Sequence, residues 1–293
     1  MFGVLRAAGN MALSVPLAET MLAGWMLGAA GISLPSGKIT FGPSSFSDSL
    51  TYDGKTVSGR IARLPFGREC SHAALLATSG EILTVVLVEL DKASIQHRDS
   101  LADEPADSIF FANTPVVEAA PAPATFTKHT TLLMGSAARA MQIAGALEKI
   151  LALTSEYAGQ RRAFERTISK FQAVQHGIAQ LAGEVAVSLS ASTSAAEAFE
   201  TLSAVRGFND PELILEISSA KIRAAAAAQK GAAIAHQLHG AIGVTREHIL
   251  HRLTLRALAW RDDYGNEAQW SERLGQLVAA RGAQSLWPLL ATR

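Results

Sequence analysis

Apolar positions change their spacing twice along the 293 residues of the chain, and these changes divide it into three regions. In residues 1–34 the apolar side chains recur at near-helical spacing. Residues 35–123 contain short strand-like runs separated by turn residues, and residues 124–293 follow long helical patterns. This order predicts an α+β protein with a partial N-terminal helical segment, a small antiparallel β domain and a C-terminal four-helix bundle.

The middle region carries local signals for strands and for one hairpin. The strand-like runs are Lys38–Phe41, Thr56–Ile61, Ala73–Thr78 and Ile82–Leu90. Asp53 and Gly54 lie between two such runs, and this pair predicts a tight hairpin because both residue types accept a left-handed backbone. The segment Glu118–Ala124 contains two prolines, which suit neither a helix interior nor a central strand, so we expect a connector there.

The C-terminal region contains five helical patterns. The predicted helices are Lys128–Ala158, Ser169–Ser192, Asp210–His239, Thr245–Tyr264 and Ala268–Arg281. Asp210 followed by Pro211 is a standard helix start. Gly240 and Gly243 indicate that the third helix ends in a tight turn.

Composition and charge exclude several classes of partner. Lys+Arg and Asp+Glu both number 26, so the chain has no bulk attraction to nucleic acid or to an anionic membrane. Pro16 and Glu19 interrupt the apolar N-terminal stretch, which predicts a buried helix and neither a membrane span nor a signal peptide. The single cysteine, Cys70, excludes an intrachain disulfide and fits a cytoplasmic location. A neutral, rather apolar chain also favours burial of surface in an oligomer.

One loop combines a cation with an aromatic ring. The stretch Tyr157–Gln175 joins two long helices and carries Arg161 and Phe164. A guanidinium suits a pyrophosphate and a phenyl ring suits a flat heterocycle, so this pair fits an anionic, aromatic ligand. Taken alone, such a pair is more often a helix cap and a core residue.

Three stretches together resemble the acyl-CoA dehydrogenase family. Tyr157–Gln175 reads Tyr-Ala-x-x-Arg-x-x-Phe-x-x-x-Ile-x-x-Phe-Gln-x-Val-Gln and resembles the family's helical-domain signature. Ala235–Glu247 is similar to its Gln-x-His-Gly-Gly-x-Gly turn, with Ala220 and Lys221 earlier on the same helix. Ala8–Gly31 resembles the family's late N-terminal helices, so by this resemblance the chain starts inside the N-terminal helical domain.

The resemblance implies FAD as the cofactor, held partly across a dimer interface. Arg161 would contact the pyrophosphate and Phe164 would pack on the cofactor. Gln237 and the backbone of Gly240–Gly243 would hold the adenine half, where glycine allows close approach of backbone N–H groups. Ala241 stands in place of the family's second glycine, so we expect some rearrangement of this turn.

The resemblance also implies a carboxylate that removes the α-proton of an acyl-CoA while hydride leaves the β-carbon for the flavin. Where the family places this glutamate, before a glycine, the chain has Tyr264, and a phenol has an ordinary pKa of about 10. The base position of some relatives falls at Gly135. Asp263, next to Tyr264, is the remaining candidate catalytic residue if the turn is shifted by one position.

The β domain departs from the family as well. Thr40–Ser47 and Leu64–Phe66 stand where family motifs line the flavin ring, and their flavin-facing donors are degraded. Outside these motifs, two histidine pairs, His236/His239 and His248/His251, have a spacing compatible with zinc ligands. We expect the glycine turn to separate the pairs, so no metal site is predicted.

The leading hypothesis is a supporting subunit that lacks its own catalytic base. It would supply Arg161, Phe164, Gln237 and the Gly240 turn to FAD bound mainly by a more complete partner subunit. By the resemblance, a bulky acyl-CoA is the expected substrate and electron-transfer flavoprotein the expected electron acceptor. Two alternatives stay open: a self-sufficient homomeric dehydrogenase that uses Asp263, and a non-catalytic scaffold or acyl-CoA-binding protein without FAD.

Overall fold

Two helices form the N-terminal region, as the spacing predicts. In the computed structural model, which describes residues 1–291, they are α1, Phe2–Asn10, and α2, Leu17–Ala29. Pro16 immediately precedes α2, where the missing N–H of proline removes no helical hydrogen bond. Most of the inward face of α2 is apolar, but it also buries the side chain of Glu19. A buried carboxylate needs a partner, and this one is described below.

Within the described residues, seven strands form one sheet. They are β1 (Ile39–Gly42), β2 (Ser49–Tyr52), β3 (Thr56–Pro65), β4 (His72–Ser79), β5 (Ile82–Glu89), β6 (Ser94–Gln96) and β7 (Ala106–Pro121). The pairings run β4–β2–β3–β7–β5 and return from β5 to β4, so five strands close into a small barrel. Most pairs are antiparallel as predicted, whereas β1–β4 and β2–β4 are parallel.

The local signals of this region succeed at one place and fail at another. The hairpin predicted at Asp53 is confirmed, because its carboxylate accepts hydrogen bonds from the N–H groups of Lys55 (2.8 Å) and Thr56 (2.7 Å) between β2 and β3. The connector predicted at Glu118–Ala124 is wrong in its first half, since β7 continues to Pro121 opposite β5. Proline is tolerated there because it ends the strand.

The helical region begins with the central helix of the bundle. Its elements are α3 (Thr130–Gln160), α4 (Gln172–Leu202), α5 (Pro211–His239), α6 (Leu250–Trp260), α7 (Glu267–Arg281) and α8 (Leu286–Ala291), with the strands β8 (Arg162–Ala163) and β9 (Arg166–Thr167) between α3 and α4. The first four turns of α3 are almost wholly buried, and α4, α5 and α6 pack against it. None of the helices described is long and apolar enough to cross a bilayer.

The helix bounds agree with the sequence pattern except at two places. The second predicted helix, Ser169–Ser192, ends too early, because α4 continues to Leu202. The other difference follows the third predicted helix. That helix ends at His239, and a 3₁₀ helix, Gly240–Val244, follows it directly. α6 is therefore shorter than the predicted Thr245–Tyr264. The order of elements follows the three predicted regions, and their exact boundaries stay a prediction.

Helix α1 crosses α3 at two glycines. A Cβ atom on Gly9 would lie 2.0 Å from the carbonyl oxygen of Gln142, and one on Gly145 would lie 2.0 Å from that of Arg6. The absence of side chains at these two positions therefore allows the backbones to touch. This close crossing fixes the part of α3 that carries the buried polar residues of the candidate site.

Candidate functional site

The loop after α3 folds as a tight hairpin that presents Phe164 to solvent. β8 and β9 pair across a two-residue loop, Phe164-Glu165. Both residues have positive φ, 50° and 67°, the conformation that such hairpins need and that glycine or asparagine usually supplies. Strained backbone of this kind concentrates at functional sites. The Phe164 side chain is 88% exposed, with only an edge-on contact to Phe171.

Arg161 lies between α3 and this hairpin. Its backbone N–H donates to the carbonyl oxygen of Tyr157 at 2.8 Å and so closes the last turn of α3. Its side chain is exposed, and within residues 1–291 its guanidinium makes no hydrogen bond or ion pair. A free guanidinium beside an exposed phenyl ring keeps both groups available to a ligand or a partner chain.

The turn after α5 presents the other predicted cofactor residues. Gln237 lies on the exposed side of the last turn of α5. Gly240 follows with φ 64° and ψ −147°, a backbone conformation that side chains rarely adopt. Gly243 is buried, and a Cβ atom there would lie 2.9 Å from the Cβ of His239. The turn thus exposes Gln237 and Gly240 while Gly243 packs back onto α5.

The structure brings these two elements together at one end of the bundle. The hydroxyl of Tyr157, in the last turn of α3, donates to the carbonyl oxygen of His239 at 3.2 Å. The rings of these residues stack with centroids 4.5 Å apart and an interplanar angle of 19°. Arg161 lies one helical turn after Tyr157, and Gly240 directly follows His239. The two predicted binding elements are therefore neighbours.

The two sequence positions considered for the catalytic base also meet each other. Tyr264 follows α6 with a positive φ of 57°, which turns its side chain inward, where it is 1% exposed. A Cβ atom on Gly135 would lie 2.2 Å from the Tyr264 ring, so the ring lies directly against this glycine. Its hydroxyl donates to the carbonyl oxygen of Phe41 at 3.4 Å. Burial raises the pKa of Tyr264 well above its usual value.

The Asp263 side chain contacts two arginines. One carboxylate oxygen accepts a hydrogen bond from Nε of Arg139 at 3.0 Å, and the other lies 3.6 Å from the guanidinium of Arg63. The side chain is 10% exposed. Both oxygens of this candidate base are therefore engaged with arginines from α3 and β3.

Arg139 is the centre of a buried ion-pair cluster that sequence analysis missed. It is 2% exposed and also donates to Glu19 in α2 at 2.5 Å and to the side chain of Gln142 at 2.7 Å. Burial raises the pKa of Glu19, although the positive charge of Arg139 opposes that rise. The cluster joins α2 and α3 to the turn that holds Asp263. A lone carboxylate in an apolar helix was the available signal, because charged groups are seldom buried without a partner.

Lys221 supports the same turn from α5. Its fully buried ammonium donates to the carbonyl oxygens of Trp260 at 2.6 Å and Asp263 at 2.7 Å. Both carbonyls lie at the C-terminal end of α6 or just after it, where helical partners are missing. Burial lowers the pKa of Lys221 to about 7. The Ala220-Lys221 pair was recognised in the sequence, but this capping role depends on the tertiary fold.

The β-domain segment expected to face a flavin is packed against the chain itself. The hydroxyl of Thr40 donates to the carbonyl oxygen of Pro65 at 2.6 Å, so it is occupied within the barrel. The ring of Phe46 lies 5.2 Å from that of Trp270. A Cβ atom on Gly265 would lie 2.8 Å from Phe46. Aromatic side chains therefore fill the space between the barrel and the turn after α6.

The histidine pairs are closer than the sequence suggested. The expectation that the glycine turn separates them is wrong, because the rings of His239 and His248 have centroids only 5.0 Å apart. The turn folds back on α5, since Gly243 has no side chain to keep the segments apart. In the described part of the chain, no group of three or more His, Cys, Asp or Glu side chains is arranged to hold a metal ion.

Part of the chain matches a known family and a curated relative. Residues 127–267 match the family model described as "Acyl-CoA dehydrogenase, C-terminal domain". The protein "Acyl-CoA dehydrogenase IpdE2" of Mycobacterium tuberculosis (strain ATCC 25618 / H37Rv) is 34% identical over 113 residues. That match covers 39% of this chain and 31% of the relative, so it spans less than a third of the relative's length.

Solved structures share the fold over almost the whole chain. A variant of the "Tcur3481-Tcur3483 steroid ACAD" superposes with a TM-score of 0.83 at 24% identity, covering 96% of this chain and 80% of that one. The "ChsE4-ChsE5 complex from Mycobacterium tuberculosis" gives a TM-score of 0.78 at 21% identity, also covering 96% and 80%. At these identities the likeness establishes the fold, which confirms the α+β class predicted from the sequence.

Proposed function

We propose that this chain, which belongs to the acyl-CoA dehydrogenase family through its C-terminal domain, is a supporting subunit in FAD-dependent α,β-dehydrogenation of an acyl-CoA thioester. It pairs with a second acyl-CoA dehydrogenase subunit that carries the catalytic carboxylate. Its own contribution is a surface for the pyrophosphate and adenine half of FAD, formed by Arg161, Phe164, Gln237 and the Gly240 turn.

The observation that carries the proposal is that neither position considered for the catalytic base holds a residue able to remove the substrate's proton. Tyr264 occupies one of them, and its ring packs against Gly135, which occupies the other. Neither residue is a carboxylate. A phenol that is buried and whose pKa lies well above its usual value keeps its proton at neutral pH, so it cannot remove one from a substrate.

The residues present fit one half of FAD and not the other. An unpaired guanidinium, an exposed phenyl ring and a glycine turn suit a pyrophosphate and an adenine. On the side of the barrel, Phe46 packs edge-on against Trp270, Tyr264 packs against Gly135, and the Thr40 hydroxyl already donates to the carbonyl oxygen of Pro65. When bound, the flavin ring supplies the hydride acceptor, and we assign the surfaces around that ring to the partner subunit.

The proposal includes a heteromeric assembly and a bulky substrate. Its support is the description of two proteins of similar fold, one as a steroid ACAD and one as a complex of ChsE4 and ChsE5. We therefore infer a bulky acyl-CoA, such as a thioester of a steroid side chain. Electron-transfer flavoprotein as the acceptor and a cytoplasmic location complete the proposal.

The homomeric alternative depends on Asp263, whose environment does not favour it. A general base needs a free lone pair within reach of the proton, and both oxygens of this carboxylate already face arginines. Its main partner, Arg139, also holds Glu19, so releasing Asp263 would disturb a buried cluster. The residue is better explained as an anchor for the turn that carries Tyr264.

Asp263→Asn distinguishes the two interpretations. In the assembly with its partner subunit, we expect turnover of an acyl-CoA, measured by dye reduction, to stay within about twofold of wild type. The unfolding free energy should fall by about 1–3 kcal/mol, because Arg139 loses a charged hydrogen-bond partner. Asp262→Asn, at the exposed neighbouring position, is the matched control and should change neither quantity. Loss of turnover with an intact fold would establish Asp263 as the base and overturn the supporting role.

A further inference from the structure

We propose that Tyr157 and His239 are positioning residues whose stacked rings hold the Arg161 hairpin and the Gly240 turn in register for one shared ligand. The inference rests on the proposed function, because it states what keeps the two FAD-facing elements at a fixed separation. Neither residue was assigned a role in the proposed binding surface. Their contact links the ends of α3 and α5 directly.

Tyr157 connects to the hairpin through the backbone. Its carbonyl oxygen accepts the N–H of Arg161, so any shift of the tyrosine is transmitted to the arginine. The carbonyl oxygen of Arg161 in turn accepts the N–H of Ile168 at 2.8 Å, which closes the hairpin behind it. The position of the Tyr157 ring therefore determines the position of the Arg161 backbone, from which the guanidinium extends.

His239 connects to the turn from three sides. Its Nδ1 lies 2.9 Å from the carbonyl oxygen of Ala235, which must accept, so Nδ1 carries the proton. The centroid of its ring lies 4.5 Å from that of Tyr157 and 5.0 Å from that of His248. Its Cβ is the atom nearest to the position that a Cβ on Gly243 would take. The side chain is 3% exposed, and its Nε2 is buried with no hydrogen-bond partner in the described chain.

This arrangement requires an uncharged His239. Burial lowers its pKa, and the neighbouring His248 and His236 lower it further, against the opposing effect of the Ala235 carbonyl. The other group packed on the ring is the phenol of Tyr157. A folded-state pKa below the unfolded value means that stability is complete above about pH 6.5 and is lost as the pH falls towards the folded pKa. Acid should therefore loosen the stack and the turn together.

The separation of the two elements matters because both lie outside regular helices. A binding group on a loop is held in place only by its supporting contacts, and errors below 1 Å weaken a site that needs several groups at once. The arginine and the glycine turn come from chain segments about 80 residues apart, counting from Arg161 to Gly240. A rigid contact between the ends of α3 and α5, from which the two elements extend, keeps them aligned.

The test is a double-mutant cycle on the FAD dissociation constant of the assembly with its partner subunit. Tyr157→Leu and His239→Leu should each weaken FAD binding about tenfold. The double variant should bind FAD about as tightly as either single variant, since both substitutions remove the same stack. His239→Phe keeps an aromatic ring at this position and should restore near wild-type binding. Tyr157→Phe, which loses only the hydrogen bond, should cost about threefold and covers the case in which the leucine variant fails to fold.

The pH profile is the readout that a merely structural role would not change. FAD retention by the wild-type assembly should decline as the pH falls below about 6.5 towards the lowered pKa of His239, whereas His239→Phe should keep its FAD over the same range. His97→Leu and Tyr52→Leu, of the same residue types but in the β domain, are the matched controls and should behave as wild type.

Two failures can be told apart. If Arg161→Ala weakens FAD binding while the Tyr157 and His239 variants bind normally or act additively, the positioning role is overturned and the proposed function stands. If Arg161→Ala leaves FAD binding unchanged as well, the proposed function itself is overturned.

Discussion

Replacing Arg139 by leucine is expected to lower the free energy of unfolding by about 3–5 kcal/mol, because it leaves Glu19 buried without its cation and Asp263 with Arg63 alone. Glu19 is 1% exposed and Asp263 10%, so water cannot replace the guanidinium. Gln142 would also lose the donor to its side-chain oxygen. Urea or thermal unfolding of the assembly, followed by circular dichroism, measures the loss.

Arg6→Ala is the matched control for this prediction. Arg6 also forms a short ion pair, 2.5 Å from Glu148, but its side chain is 45% exposed. Exposed pairs contribute at most about 1 kcal/mol, so this variant should unfold nearly as wild type does. Equal losses for the two variants would contradict the assignment of Arg139 as the centre of a buried cluster.

The pH dependence of the Arg139→Leu variant follows from Glu19. Burial already raises the pKa of this carboxyl, and removal of Arg139 removes the main opposing charge. The folded variant then holds the proton to higher pH than the unfolded chain does. Its stability is therefore greatest below the unfolded value of about 4.3 and declines as the pH rises towards the folded pKa. Adding Glu19→Gln should recover part of the loss at neutral pH.

Replacing Arg161 by alanine should remove most FAD from the assembly without affecting its stability. A charged hydrogen bond to a phosphate contributes about 1.5–3 kcal/mol, which corresponds to roughly 10- to 100-fold weaker binding. The guanidinium makes no hydrogen bond or ion pair within the described chain, so its loss should leave the melting temperature unchanged. Flavin absorbance after gel filtration, together with a thermal melt, checks both statements.

Arg281→Ala is the control, because this arginine is also exposed but lies at the end of α7. It should retain full flavin. Unchanged flavin in the Arg161→Ala assembly would support the third hypothesis, a scaffold or acyl-CoA-binding protein that does not touch FAD. Phe164→Ala gives an independent check, since the ring is 88% exposed and its loss should also spare the fold.

Sequence patterns predicted the fold where local chemistry decides it. Asp53 forms its hairpin through hydrogen bonds to residues two and three positions away, so the signal is complete within a few residues. Asp210 likewise caps α5 with its own side chain, which accepts from two backbone N–H groups. β7 escaped prediction because proline and polar positions interrupt its alternation, and its pairing with β3 and β5 is determined by distant strands.

The candidate site was predictable only as separate parts. Tyr264 and Gly135 were each identified as positions without a base, but their mutual contact joins residues 129 positions apart. Glu19 was seen as an interruption of an apolar helix, whereas its partner Arg139 lies in another helix 120 residues later. Likewise, Tyr157 belonged to a recognised stretch without any sign that it stacks on His239. Such contacts are properties of the packed core.

The flavin content of the purified chain, alone and with its partner subunit, tests the central claim most directly. The chain expressed alone and incubated with FAD should pass gel filtration colourless, because its predicted contacts reach only the pyrophosphate and adenine half, and Phe46 and Trp270 pack against each other on the barrel side. Co-expressed with the partner, the complex should show flavin absorbance in proportion to the partner subunit. A yellow protein from the chain alone, able to reduce a dye with an acyl-CoA, would contradict the account.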